Sequence, residues 1–204
     1  LIGTIGIIIL INKYKLIRLI ALVIAILLSF IIIYNDDNVK ERVITSTINE
    51  LDLFEENKHL FSEGHELYYW TSYNMFLDHK IFGIGPKNYR ILCNDPRYFK
   101  LIQTEDNLNN TCSTHPHNTY AQLLAETGIM GILPVIFLFF FIVSLLFRHF
   151  VSMIFVSDKN RLTDYQICLL ISVFLTLWPL VPTLNFFNNW ISIIYFLPVG
   201  FLLQ

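Results

Sequence analysis

Residues 129–147 read IMGILPVIFLFFFIVSLLF, an unbroken run with no charged side chain. A helix needs roughly 20 apolar residues to cross the hydrocarbon of a bilayer, so this run predicts a membrane span. Outward from it, Leu16 to Tyr34 is a second such run, with Arg18 near one end. Residues 165–204 carry no charge either and are long enough for two crossings. Pro182, Thr183, Asn185, Asn188 and Asn189 gather as turn formers and predict the break between those two at Pro182–Asn189. Residues 1–12, also uncharged, read as the tail of an earlier span. The chain opens on Leu1 and stops at Gln204 inside apolar runs, and we read it as a segment of a longer protein. Its first run has no basic flank before it and no small-residue cleavage site after it, unlike a secretory signal.

Composition agrees with this layout. Hydrophobic residues make up 54% of the chain and charged residues 15%, with a mean hydropathy of +0.55, which excludes an ordinary soluble domain. A net charge of −2 excludes nucleic acid as a partner. The charge is concentrated in residues 35–128, with small basic clusters on either side. Lys13, Lys15 and Arg18 lie between the first two spans, and Arg148, His149, Lys159 and Arg161 between the third and fourth. Basic short loops stay in the cytoplasm, so residues 35–128 and the 182–189 turn face outward. The expectation is an all-α, polytopic membrane protein: transmembrane residues 1–34, an outer loop domain over 35–128, and further transmembrane helices over 129–204.

The loop is too long for a plain linker. Val43, Ile44, Ile48, Leu51 and Phe54 recur at helical spacing and predict an amphipathic helix over Val39–Phe54. A second helix is predicted over Ser62–Lys80, capped by Ser62, with Leu67, Trp70, Tyr73, Met75 and Phe76 as its apolar side. Cys93 and Cys112 bracket a polar excursion and are candidates for a disulfide that fixes the segment leading into His115. Cys168 falls in a span and reads as an inert apolar residue. Asn109-Asn110-Thr111 matches a glycosylation sequon, a triplet common by chance. Trp178 and Trp190 read as interface anchors, and Tyr68, Tyr69 and Trp70 as core or interface.

Two stretches of the loop carry chemistry. In Phe82-Gly83-Ile84-Gly85-Pro86-Lys87-Asn88-Tyr89 the glycines and proline form a tight turn, read either as a helix stop or as a cradle of amides for an anion. The second stretch runs Ser113-Thr114-His115-Pro116-His117-Asn118-Thr119-Tyr120-Ala121-Gln122-Leu123-Leu124-Ala125-Glu126-Thr127-Gly128. Pro116 biases His115 toward extended backbone. Asn118 suits an N-cap for a helix from Thr119 to about Glu126, closed by Gly128. Asn118, Gln122 and Glu126 then form a polar stripe at four-residue spacing. His117 sits ahead of the helix N-terminus, where free N–H groups and the dipole favour anions such as phosphate. A neutral histidine there is suited to accept a proton from a hydroxyl nucleophile. The same ring also reads as a structural cap. With His115 it makes a poor zinc site, because no acidic or cysteine ligand stands at good spacing. Glu126 reads either as the residue that orients His117 or as an interfacial charge, and His65 either as a solvated histidine or as one facing the site.

The pairing of Gly83-Ile84-Gly85-Pro86-Lys87-Asn88-Tyr89 with the motif from His115 through Gly128-Ile129-Met130-Gly131 resembles the O-antigen ligase and polymerase family. The placement matches as well, an outward loop whose histidine motif enters the next span. The resemblance covers about residues 16–150. It implies a GT-C-like helical bundle with a large helical periplasmic loop in the bacterial inner membrane. The implied enzyme is a metal-independent glycosyltransferase without a cofactor. It moves a glycan from an undecaprenyl-pyrophosphate carrier to an acceptor hydroxyl, on lipid A-core in ligases and on the next repeat unit in polymerases. The histidine of the family's His-Asn pair falls on His117, the implied catalytic base, with Glu126 beside it. His115, Asn118, Gln122, Gly83 and Gly85 are candidates for binding substrate. Many members carry an arginine a few residues before a tryptophan; here His65 precedes Trp70. Lys87, Arg90 and Arg42 are the substitutes available for the pyrophosphate, and another family arginine falls ahead of Leu1. A transporter or flippase of lipid-linked glycans is the reading from another class. The scarcity of ionised residues in the spans favours the enzyme.

Overall fold

The structure, a computed structural model, describes residues 2–11, 13–50, 63–98, 112–155 and 161–202. Every regular element among them is helical. In chain order these are α1 (Ile2–Leu10), α2 (Lys15–Asn35), α3 (Asp37–Lys40), α4 (Ser46–Glu50), α5 (Glu63–Asp78), α6 (Tyr89–Leu92), α7 (Thr119–Ile154), α8 (Asp164–Thr176) and α9 (Asn189–Leu202), with a π-helical turn, Glu41–Thr45, between α3 and α4.

Two helices, α2 and α7, are long and apolar enough to cross a membrane. No side chain of α2 is buried, as expected of a helix whose solvent is lipid. After Asn35 the chain extends at Asp36 and turns helical again. The Asp36 carboxylate caps the new start by accepting from the Asn38 and Val39 amides. The predicted helix over Val39–Phe54 is thus met by helical backbone to Glu50, and Leu51 and Phe54 lie outside the described residues.

Helix α7 is two helices in one. Gly128 takes φ 60° and ψ −156°, a left-handed break that separates a short segment, Thr119 to Thr127, from the span that follows. The span packs on α8 through Ile142, Leu170, Val173 and Leu177, while Ile11, Ile167 and Ile171 join α1 to α8. At the far end of α7, the His149 Nε2–H donates to the Leu10 carbonyl and Nδ1 accepts from the Leu162 amide. One buried imidazole therefore gathers the end of α1 and the approach to α8, which brings the two basic loops to the same end of the bundle.

The second loop helix, α5, packs against α7. Leu67, Thr71, Ser72 and Met75 are its buried face. Trp70 and Tyr73, predicted on the apolar side, are about half exposed instead, at 49% and 43%. At 3.6 residues per turn, positions 67, 71 and 75 form one line, and 70 and 73 fall off it. Ser62, the expected cap, lies outside the described residues, as do Asn109, the rest of the sequon and Lys159.

The last uncharged run departs from expectation. Helix α8 has 13 residues, about 20 Å against the roughly 30 Å of hydrocarbon, and α9 has 14 among the described residues. The break between them is also longer than Pro182–Asn189: residues 177–188 are non-helical apart from short turns. Pro179 and Pro182 lack the amide a helix needs. Two amides of this stretch bond to the histidine motif, that of Thr183 to the His117 carbonyl just ahead of α7 and that of Phe186 to Gln122 within it. Irregular backbone beside a membrane is tolerated when protein satisfies it in this way.

Candidate functional site

The two sequence motifs meet backbone to backbone. The Ile84 amide donates to the Ala125 carbonyl and the Gly85 amide to the Glu126 carbonyl, both at 2.9 Å. In return, the Ile129 and Met130 amides donate to the Lys80 and Ile81 carbonyls at 2.8 and 3.2 Å. The glycine turn thus occupies the gap in α7 at Gly128, taking up groups that each helix end leaves without an intrahelical partner. Approach this close requires glycine. A Cβ on Gly83 would lie 2.3 Å from the Glu126 carbonyl carbon, and one on Gly128 would lie 2.6 Å from that of Ile81. Both also have positive φ. The Gly83 amide donates to the His79 carbonyl. With all three amides engaged, the turn is a clamp and offers none of them to an anion, which corrects the phosphate-cradle reading of Gly83 and Gly85.

The polar stripe is also structural. The Asn118 side-chain oxygen caps the Tyr120 and Ala121 amides, and its Nδ2 donates to the Pro179 carbonyl at 2.7 Å. Gln122 donates to Glu126 Oε2 and to Asn185 Oδ1 and accepts from the Phe186 amide. Glu126, with 0% exposure, accepts from the Tyr89 amide through Oε1 at 2.9 Å and from Gln122 through Oε2 at 3.0 Å. It makes no bond to His117. Neither sequence reading of Glu126 fits: it is a buried carboxylate that locks the glycine motif to α7, not an orienter of His117 and not an interfacial charge. With Asn118 capping two first-turn amides, the helix N-terminus is not the open anion site expected from sequence.

What this scaffold presents is a group of histidines. The His115 Nε2–H donates to the Thr183 carbonyl at 3.2 Å, and Nδ1 lies 3.0 Å from Thr114 Oγ1. His115 is buried, and burial lowers its proton affinity below the usual histidine range. His117 follows Pro116 with φ 54°, a left-handed conformation that costs a residue with a Cβ on the order of 1 kcal/mol or more. The strain is held by the Thr183 amide, which donates to the His117 carbonyl at 2.8 Å. The His117 ring is only partly buried. Its centroid lies 4.2 Å from that of His115, 5.7 Å from His65 and 5.6 Å from Tyr68, and Nε2 is 3.1 Å from Ser113 Oγ. Desolvation lowers its pKa first, then the neighbouring His115 and His65. The ring is therefore neutral at neutral pH and able to take a proton. Among the described residues no set of three histidine, cysteine or acidic side chains is arranged to hold a metal.

Of the other residues singled out, His65 is brought to the His117 ring by α5. Lys87 and Arg90 are exposed on either side of buried Tyr89, Lys87 with φ 64°. Tyr89 ties this part of the glycine motif to α7 and α5: its amide is held by Glu126, and its hydroxyl lies 3.5 Å from the Tyr68 carbonyl. Arg42 is exposed on the helical extension beyond α2, and among the described residues no bond joins it to the histidines. Cys93 and Cys112 form a disulfide. Cys168 is exposed, facing the groove between α1 and α8. The Trp178 ring packs on Phe139 and Phe174, whereas Trp190 is exposed. Ser113, Thr183 and Asn185 complete the site. Thr183 and Asn185 had read only as turn formers, and Ser113, though inside the quoted motif, carried no separate signal.

The class these observations define is a helical membrane protein, with two helices able to span a bilayer, in which α5 and the histidine motif bring His65, His115 and His117 together. A protein-family model described as O-Antigen ligase matches residues 1–136, which include both motifs and two thirds of the chain, and the chain belongs to that family. It is accordingly a membrane glycosyltransferase of the O-antigen ligase and polymerase type. No curated protein and no solved structure matches the chain. Helix α8, the 177–188 stretch and α9 lie beyond the matched residues, although Thr183 and Asn185 help to hold the site.

Proposed function

We propose that the chain carries the transfer site of an O-antigen ligase-type enzyme working at the periplasmic face of the inner membrane, without a metal. In this reading His117 takes the proton of an acceptor hydroxyl on lipid A-core. The hydroxyl oxygen bonds to the anomeric carbon of a glycan, and the bond from that carbon to undecaprenyl pyrophosphate breaks, its electron pair leaving with the carrier. Lys87 and Arg90 face the pyrophosphate and balance its charge. His65 contributes a second imidazole beside the base. The observation that carries the reading is the partly buried, neutral His117 ring, held in a strained conformation by the Thr183 bond to its carbonyl and not buried as a core residue. A polymerase uses the same chemistry on a different acceptor, the next repeat unit.

The test compares the wild-type protein with His117→Ala in cells that make a lipid-linked glycan, with membrane levels of both checked. The expected result is equal membrane level, accumulation of lipid-linked glycan and loss of transfer to lipid A-core. Transfer at the wild-type rate removes His117 from the chemistry. Transfer onto further repeat units, with none onto lipid A-core, assigns the polymerase reaction.

A further inference from the structure

We propose that Ser113 is the positioning residue of the His117 base, and that the Cys93–Cys112 disulfide holds it in place. The inference rests on the role proposed for His117 and adds the partner of its second nitrogen. Ser113 Oγ lies 3.1 Å from His117 Nε2. A base imidazole needs one nitrogen with a free lone pair and the other fixed by an acceptor that selects the tautomer. With Nε2–H donating to Ser113 Oγ, the lone pair lies on Nδ1, and the proton of the acceptor hydroxyl moves there. The resulting imidazolium keeps its Nε2–H on the serine oxygen.

Glu126, the carboxylate that the sequence suggested for this role, is bonded to Tyr89 and Gln122 instead. The other ring partners are titratable or aromatic, His115 from the same segment and His65 and Tyr68 from α5; the 177–188 stretch approaches the histidine's backbone through Thr183. Ser113 is the neighbour bonded to an imidazole nitrogen of His117 among the described residues. Its position is set from the N-terminal side by Cys112, whose partner Cys93 is fully buried in the cluster of Met75, Tyr89, Tyr98 and Ala125. From the other side, Pro116 and the Thr183 bonds fix the chain at His115 and His117. The bridge thus ties the serine to the core that also carries the glycine motif.

The experiment measures glycan transfer against pH for wild type, Ser113→Ala and Ser113→Thr in membranes, with an alkylation gel shift confirming that the disulfide persists. Ser113→Ala is expected to lose about tenfold to a hundredfold in rate, as for a hydrogen bond to a charged group. Its acid limb should move to lower pH, because the imidazolium loses an acceptor, and Ser113→Thr should restore both. Reduction of purified wild type, with Cys93→Ser as the control for the same bridge, should reproduce the shifted limb and tests the idea even if Ser113→Ala accumulates poorly. An unchanged or faster Ser113→Ala rate with an unmoved limb overturns the proposal, since it means that the serine donates to the nitrogen needed as base. Failure of His117→Ala to abolish transfer sinks the underlying role, and the two failures are read from separate variants.

Discussion

Gly83 and Gly128 decide whether the two motifs can meet, because each lets one backbone lie against another where a methyl group would collide. Gly83→Ala combines left-handed strain with overpacking and should cost at least about 2 kcal/mol, read as thermal unfolding of the detergent-purified protein. Gly200 in α9 has open space for 4 Å around the point where a methyl group would stand. It should accept alanine without loss, so equal behaviour of the two variants would refute the clamp. Glu126→Gln puts an amide where the Tyr89 amide and Gln122 need acceptors. We expect a loss of about 1.5–3 kcal/mol with no displacement of the pH profile of transfer. A profile displaced in a fully stable Glu126→Gln protein would return the carboxylate to the catalytic role that sequence suggested. The residue types were legible in the sequence, but the partners were not. Four-residue spacing showed that Asn118, Gln122 and Glu126 share a face, and only the fold shows that this face meets Pro179, Asn185 and Tyr89.

Among the elements, the short segment from Thr119 to Thr127 joins three parts of the molecule: the glycine turn, α5 and the 177–188 stretch. Its start and stop were readable because Asn118 and Gly128 are strong local signals, and the structure caps the helix at Asn118 and breaks it at Gly128. On α5 the expected Leu67 and Met75 are buried, but aromatic type alone does not place a side chain inside: Trp70 and Tyr73 stand outside the 67–71–75 line. The length of the 177–188 excursion was hidden for a different reason. Its composition is as apolar as a span, and its polar partners lie some 60 residues earlier, with Gln122 and Asn185 63 apart. Gln122→Ala should free the Phe186 amide. Hydrogen exchange of peptides covering 180–190 is expected to speed up markedly, while exchange in the His149 region stays unchanged. Protection of 180–190 equal in wild type and Gln122→Ala would show that the stretch holds itself in place.

At the scale of the whole molecule, uncharged runs made the two long spans legible, because a bilayer imposes strong constraints on length, and the basic loops predict an outward loop that labelling can test. Within the last uncharged run, residues 177–188 leave helical geometry and bond to the histidine motif, which hydropathy does not reveal. Lys87→Cys in a Cys168→Ser background should react with a membrane-impermeant maleimide in intact spheroplasts. Lys13→Cys and Arg161→Cys should react only after lysis. Labelling of Lys13→Cys in intact spheroplasts would invert the topology and remove the site from the periplasmic face. The central claim is that the scaffold serves to hold His117 neutral as a base. With a pKa below the ordinary histidine value of about 6.5, the ring is unprotonated above that pH and gains its proton only as pH falls through the lowered value. The measurement that tests this most directly is the rate of glycan transfer against pH in membranes bearing wild type or His117→Ala. The account predicts a wild-type acid limb below pH about 6.5 and, in His117→Ala, a loss of roughly a hundredfold or more with that limb gone. A variant that keeps both the rate and the limb would contradict it.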